Sequence, residues 1–344
     1  MKRVIKKAGA VLILMVICIV FVSCGSKSGI DGKRIVRISH GQSETHPEHI
    51  GLLEFKKYIE EELGDKYEVQ IFPNEILGAS QKAIELTQTG AIDFVVAGTA
   101  NLETFAEIYE IFSMPYLFKS EDAYYELLNN KDYMEGIYKS TDEAGFRVIT
   151  WYSAGTRNFY AKNPIKSPED LKGMKIRVQQ SPASVEMVQS FGAAAAPMSF
   201  GEVYTAIQQG VIDGAENNEL ALTNNKHGEV AKYFIYNKHQ MVPDMLVANL
   251  KFINSLSDEE RAVFEKAAKI STEVELIEWE KQVKEAKQKA IEMGVNFSEV
   301  DIDKFREKVI PLHKQMIEKN PNLKPIYDKV QQINMELEAD DENN

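Results

Sequence analysis

One eight-residue pattern occurs twice in this chain. Leu86-Thr-Gln-Thr-Gly90-Ala-Ile-Asp93 and Ala206-Ile-Gln-Gln-Gly210-Val-Ile-Asp213 each read as the last turn of a helix, a glycine cap and the start of a strand. The match is short, and coincidence is the alternative to a structural repeat. If it is a repeat, two lobes each present a helix, a glycine and a strand toward a common face. Ligands of open α/β sheets sit beyond the carboxyl ends of the strands, so two such lobes facing each other make a cleft.

The residues before the first copy support this reading. Arg34 to Ser39 alternates Ile35 and Arg37 with Val36 and Ile38, as a strand does, and runs into a loop at His40-Gly41. Ile50, Leu53, Phe55, Ile59 and Leu63 keep roughly helical spacing, with Gly64 as a stop. Tyr67, Val69 and Ile71 alternate with Glu68 and Gln70 up to Pro73-Asn74, giving a second strand. A helix through Ala83, Ile84 and Thr87 then ends at Gly90, before an apolar strand from Ala91 to Ala97. This βαβα order predicts an α/β fold with a mostly parallel sheet covered on both faces.

Further along, Ser271 to Gly294 is helical and heavily charged, with Leu276, Ile277, Trp279 and Val283 as its apolar stripe. It reads as a surface helix packed across both lobes. Glu336 to Asn344 reads as a frayed acidic tail. With 44% hydrophobic and 9% aromatic residues the chain is large enough to bury a core and to split into two domains.

The first segment bears on location. Lys2, Arg3, Lys6 and Lys7 precede an apolar run from Val11 to Val22, which has the length of an export signal and is short for a membrane span. Val22-Ser23-Cys24-Gly25 resembles the lipobox of bacterial lipoproteins, although Phe21 replaces the usual Leu; an ordinary cleaved signal with an incidental cysteine is the alternative. The expectation is a signal peptide over 1–23, acylation of Cys24 and a small polar tether over 24–32, holding the exported protein at the outer face of the cytoplasmic membrane. Cys18 and Cys24 are the only cysteines, so none is left for a disulfide or thiolate metal site in the folded body. The chain carries a formal charge of −12, becomes more acidic once the leader is removed, and has no basic stripe for nucleic acid.

Motifs for chemistry are sparse. There is no nucleophile elbow, phosphate-cradling loop or dinucleotide fingerprint, and no cofactor is implied. His46 and His49 stand three apart without a third ligand nearby and read as a solvated helix end. Glu169 and Asp170 read as a helix N-terminus beside Ser167-Pro168. Two arginines remain. Arg177 lies in Met174-Lys-Ile-Arg-Val178, where a solvated strand face is the competing reading, and Arg157 follows an aromatic strand that breaks into a turn at Gly155. In a cleft without fixed partners, both would await an anion from outside, since guanidinium forms a planar fork with a carboxylate.

The surroundings of these arginines form an ordered set of blocks: Gly155-Thr-Arg157, Ser167-Pro-Glu-Asp-Leu-Lys-Gly173-Met-Lys-Ile-Arg177-Val, Gly192-Ala-Ala-Ala-Ala-Pro197-Met198, Glu202-Val-Tyr204-Thr-Ala-Ile-Gln208 and Gly210-Val-Ile-Asp213-Gly214-Ala-Glu216-Asn217. Phe72-Pro73-Asn74, Leu77-Gly78, Met114-Pro-Tyr-Leu-Phe118 and Leu256-Ser-Asp-Glu-Glu-Arg261 add to it. From about Ile35 to Lys314 the chain closely resembles the solute receptors of TRAP transporters, the tripartite ATP-independent systems for organic acids.

That resemblance implies a two-lobe, periplasmic-binding-protein-like α/β fold of the type II kind, with hinge strands and a long helix spanning both lobes. Lobe I is expected over 33–154 and 243–282, lobe II over 155–242 and 283–335. The resemblance also implies a receptor and not an enzyme, an organic acid as ligand and integral-membrane permease subunits as partners. Arg177 becomes the carboxylate clamp, Arg157 a second cationic contact, Asn217 a donor to the same group and Phe200 a packing surface. His40, Ser80, Gly98 and Asn101 face the cleft from the first lobe, with His239 and Asp244 bordering it. Gly98 and Asn101 stand where sialic-acid receptors of the family carry acidic and basic residues, which argues against that ligand. Gly214-Ala-Glu-Asn-Asn218 followed by Lys238-His-Gln-Met-Val-Pro243-Asp244 looks like the sugar-acid branch, with a C4-dicarboxylate or keto acid as the alternative ligand and an exported enzyme as the remote one.

Overall fold

A computed structural model describes residues 32–343, so the leader, Cys24 and most of the tether lie outside the described residues. Eleven strands form two sheets. They are β1 (Arg34–Ser39), β2 (Tyr67–Phe72), β3 (Phe94–Gly98), β4 (Phe146–Tyr152), β5 (Asn158–Ala161), β6 (Lys175–Val178), β7 (Ala194–Pro197), β8 (Gly214–Asn217), β9 (Tyr233–Tyr236), β10 (Asp244–Asn249) and β11 (Asn296–Glu299). The first sheet has the order β2-β1-β3-β10-β4 and the second β11-β9-β5-β8-β6-β7.

The repeated octapeptide is a structural repeat. Gly90 and Gly210 both adopt φ +74°, a left-handed conformation that glycine enters without a Cβ clash. At the first copy Asp93 N donates to Arg37 O (3.1 Å) and its carboxylate accepts from Arg37 N (2.9 Å). At the second, Asp213 N donates to Lys175 O (2.8 Å) and its carboxylate accepts from Lys175 N (2.8 Å). Each aspartate thus pins the strand after the turn to a parallel neighbour. Ile38 pairs with Phe94 as Ile176 pairs with Gly214, so β2-β1-β3 and β7-β6-β8 are equivalent parallel triplets. An antiparallel strand follows each, β10 in one sheet and β5 in the other. In this equivalence Arg177 occupies the place of Ser39, near the carboxyl end of its strand.

Two of the crossings between the sheets, from β4 to β5 and from β9 to β10, pair with each other. Arg157 N donates to Gln240 O (2.7 Å) and His239 N to Arg157 O (3.1 Å). Asn237 Oδ1 accepts from Phe159 N, and Asn158 Oδ1 from Lys238 N (2.8 Å), so side chains complete what the short ladder leaves open.

A third connection is the helix Asp258–Glu292, which begins well before the expected Ser271. Its start is a capping box: Ser257 Oγ accepts from Glu260 N, and the Glu260 carboxylate accepts from Ser257 N. Phe264, Ala267, Ala268, Ser271, Thr272, Glu275, Trp279, Ala286 and Ala290 form its buried face, whereas Ile277 points to solvent. The helix packs on Pro47–Leu63, β4 and Glu219–Thr223, and the strand after it, β11, joins the second sheet. The expectation of a helix lying across both lobes holds, and of the expected stripe Leu276, Trp279 and Val283 pack inward while Ile277 alone sits off the i, i+3, i+4 face.

The chain end also differs from expectation. Lys324–Asn343 forms one helix, and its apolar residues Ile326, Val330 and Ile333 are buried. It packs on Glu121–Asn129 of the first lobe, where Asn334 donates to Leu117 O (3.0 Å) and accepts from Lys119 N (3.1 Å). Glu338 pairs with Lys119 at 2.7 Å, so the acidic segment continues the helix past residue 335.

Candidate functional site

Between the sheets lies one cavity lined by Ser80, Gly98, Asn101, Arg157, Arg177, Phe200, Asn217 and Asp244, eight of the residues singled out in the sequence. Each arrives from the end of an element. Ser80 opens the helix Ser80–Thr89, Gly98 closes β3, Asn217 closes β8, and Asp244 opens β10 directly opposite Gly98 in the antiparallel ladder.

Arg177 is buried at 3% exposure, so the solvated-face reading of its strand does not hold. Its Nε and Nη2 donate to the carbonyl of Met198 (3.1 and 2.9 Å), which fixes the plane of the guanidinium. The guanidinium lies over the Phe200 ring, 5.7 Å from the centroid. Among the described residues no carboxylate forms an ion pair with it. Burial pulls its pKa below the ordinary arginine range, with Glu216 acting in the opposite sense. Arginine remains cationic under these conditions, so the side chain is a desolvated, oriented charge.

Arg157 differs from expectation, because it has a fixed partner. Its Nε donates to Glu216 Oε2, its Nη2 to Glu216 Oε1 (2.8 Å) and to the Glu216 carbonyl (2.9 Å). Burial opposes the charge of Arg157, but the Glu216 carboxylate more than offsets this and holds the guanidinium above its usual range. Burial likewise pushes the Glu216 carboxyl up, yet Arg157 and His239 bring it down to about 2. The sequence could not show this pairing, since Glu216, opposite Phe159 in the β5–β8 ladder, is brought within reach of Arg157 only by that ladder. Two guanidiniums and one carboxylate leave a single net positive charge at this end of the cavity. Arg157 Nη1 donates to Asn217 Oδ1 (3.3 Å), and Asn218 donates to the same oxygen from its backbone (2.9 Å). The Asn217 oxygen is therefore occupied, leaving its amide N–H groups as the donors for a ligand.

His40 and His239 do not line the cavity. His239 is buried behind Glu216, its Nε2 3.5 Å from the carboxylate and its ring stacked on Phe159 at 4.5 Å. His40 lies under the first lobe, its Nε2 2.9 Å from His49 Nδ1 and its Nδ1 3.2 Å from Glu48 Oε1. Burial pushes His40 down to about 4 and Glu48 up to about 8, so the two meet as a neutral imidazole and a protonated acid. His46 and His49 are buried too, which replaces the solvated helix end expected for them. His46 caps the helix Pro47–Leu63 and meets Trp279 edge-on at 5.9 Å, and both line the cavity. Among the described residues no group of three or more His, Cys, Asp or Glu is placed to hold a metal ion.

Sequence reasoning missed Glu48, His46, Gln179 and Trp279. Gln179 had a signal: two residues beyond Arg177 on an extended chain, it faces the same way. Glu48 had none, because an acid in the first turn of a helix ordinarily faces water.

The family model of bacterial extracellular solute-binding protein family 7, DctP, matches residues 38–320. An uncharacterized protein of Salmonella typhimurium is 38% identical over 302 residues, covering 87% of this chain and 92% of that protein. A crystal structure of a TRAP periplasmic solute binding protein from Anaerococcus prevotii, with bound α/β-D-glucuronate, is 50% identical. It superposes with a TM-score of 0.87 over 88% of this chain and 99% of that one. The corresponding protein of Sulfitobacter sp. NAS-14.1, with bound β-D-galacturonate, is 30% identical with a TM-score of 0.84 over 87% of this chain and 100% of that one. The two-sheet fold thus has its counterpart in solved TRAP solute-binding proteins, and the chain belongs to family 7 of the bacterial extracellular solute-binding proteins, the DctP family of TRAP solute receptors.

Proposed function

We propose that this chain is the extracytoplasmic receptor of a TRAP transporter and that it captures a hexuronate or related sugar acid. The observation that carries this reading is Arg177, a buried guanidinium with fixed orientation, an aromatic face beside it and no carboxylate partner among the described residues. A carboxylate in its plane would make charge-assisted bonds in a site from which closure excludes water. Asn217 supplies further donors, and Asn101, Ser80 and Asp244 on the other side supply the mixed donors and acceptors that a polyol needs. The glucuronate- and galacturonate-bound relatives agree with a six-carbon acid.

Lobe I, residues 33–154 and 243–282, and lobe II, residues 155–242 and 283–335, close on the acid, with the Lys324–Asn343 helix as a brace returning to the first lobe. The loaded form is then delivered to the membrane permease. Cys24 is the acylated residue that tethers the receptor, a reading supported by Val22-Ser23-Cys24-Gly25 and tested by mass spectrometry of the mature N-terminus. A thermal-shift screen against an acid library tests the ligand class: stabilisation by D-glucuronate and D-galacturonate is expected. Stabilisation by C4-dicarboxylates and none by sugar acids would overturn the assignment.

A further inference from the structure

The cavity has two chemically unlike ends. Among the described residues, Arg157 and Arg177 are the only lysine or arginine side chains lining it, and both belong to the end at β6 and β8. The opposite wall is acidic. Glu48, from the first turn of the Pro47–Leu63 helix, is buried and lines the cavity, with its Oε1 3.2 Å from His40 Nδ1. Asp244 at the start of β10 meets it carboxyl to carboxyl. Glu275 of the Asp258–Glu292 helix stands behind both, with Oε2 accepting from Ser153 N (3.0 Å) and Oε1 unpartnered. The imidazoles beside this wall, His40 and His46, are held neutral by burial, so they offer it no positive charge.

Gln179 reaches this wall from the second lobe. A Cβ placed on Gly98 would lie 2.9 Å from Gln179 Nε2 and 3.1 Å from Asp244 Oδ1, so these two side chains converge over the bare backbone of residue 98. The Gln179 amide oxygen is buried without a partner. An amide and acids with open hydrogen-bonding positions suit hydroxyl groups, which both donate and accept. They do not suit a second carboxylate, which would enter a low-dielectric site beside acids with no cation to meet it.

Building on the hexuronate reading, we propose that Glu48, Asp244 and Gln179 form a specificity wall that reads the hydroxyl end of the ligand and rejects a second carboxylate. The receptor selects acids that are charged at one end only. The wall discriminates by offering hydrogen-bond partners to hydroxyls and no cation to a carboxylate, and Gln179 links ligand recognition on the first lobe to the strand that carries Arg177.

Calorimetric titration of the mature protein with D-glucuronate and with D-glucarate, which carries carboxylates at both ends, tests this. Wild type is expected to bind glucuronate at least 100-fold more tightly. Gln179→Arg, which puts a cation at this wall and is checked for folding by its thermal transition, is expected to narrow that ratio at least tenfold. Gln179→Ala is expected to weaken glucuronate without admitting glucarate, and it probes the wall even if the arginine variant does not fold. Equal affinity for both acids in wild type, or an unchanged ratio in Gln179→Arg, overturns the wall while leaving the hexuronate reading intact. Absence of glucuronate binding in wild type, with tight binding of a dicarboxylate, overturns both.

Discussion

Arg157 and Arg177 look alike in the sequence, and their partners separate them. Removing Arg157 would strand the Glu216 carboxylate at 0% exposure, so Arg157→Ala is expected to lose about 3–5 kcal/mol of stability, read by denaturant unfolding. Arg177 has no carboxylate to strand, so Arg177→Ala is expected to keep the unfolding midpoint within a few degrees. Arg177→Lys should bind ligand poorly as well, because an ammonium lacks the planar fork. Titration adds a second test. Glu48 and Glu103 are both pushed up to about 8 by burial, from an ordinary value of 4.5. Between those values the folded protein keeps protons that the unfolded chain has released, so stability falls as pH rises from about 4.5 to about 8. Glu103→Gln should flatten that fall in a series of thermal melts. Glu216, held at about 2, acts in the opposite sense, its contribution being present above 4.5 and lost as pH drops toward 2.

At the scale of elements, the repeated turn was legible because everything it needs is local: a helix end, a residue at positive φ and an aspartate just before the next strand. Gly210→Ala places a Cβ at φ +74° and is expected to cost about 1–2 kcal/mol, with Gly210→Asn costing less. The early start of the long helix was also written in the chain, as Ser257-Asp-Glu-Glu260, and could have been found by the capping-box spacing. The crossings were not legible. Their pairing joins Arg157 to Gln240, and the ion pair at Glu216 comes from strands brought together only by the fold. Buried acids such as Glu48 and Glu275 run against composition rules, since carboxylates are rarely hidden without a cation, and no local pattern marks them. The site therefore emerged from sequence as a list of candidates, eight of ten of which line the cavity, but without its charge pairing.

For the whole molecule, the proposed function requires two lobes that meet across the cavity and separate to admit the ligand. Glu75, from the loop after β2, accepts from Gly201 N (3.2 Å) beside Phe200, a contact between the lobes at the cavity rim. Ligand holds the closed form only by its differential affinity for it, so small-angle scattering should show a smaller radius of gyration with D-glucuronate in wild type and no change in Arg177→Ala. Calorimetric titration of D-glucuronate into wild type and Arg177→Ala, alongside the thermal transition of each, isolates the part played by the buried guanidinium. A carboxylate clamp at Arg177 predicts saturable one-to-one binding in wild type, weakened at least about 100-fold in the variant, or about 3 kcal/mol, with folding preserved. Equal affinity in the two proteins would contradict it.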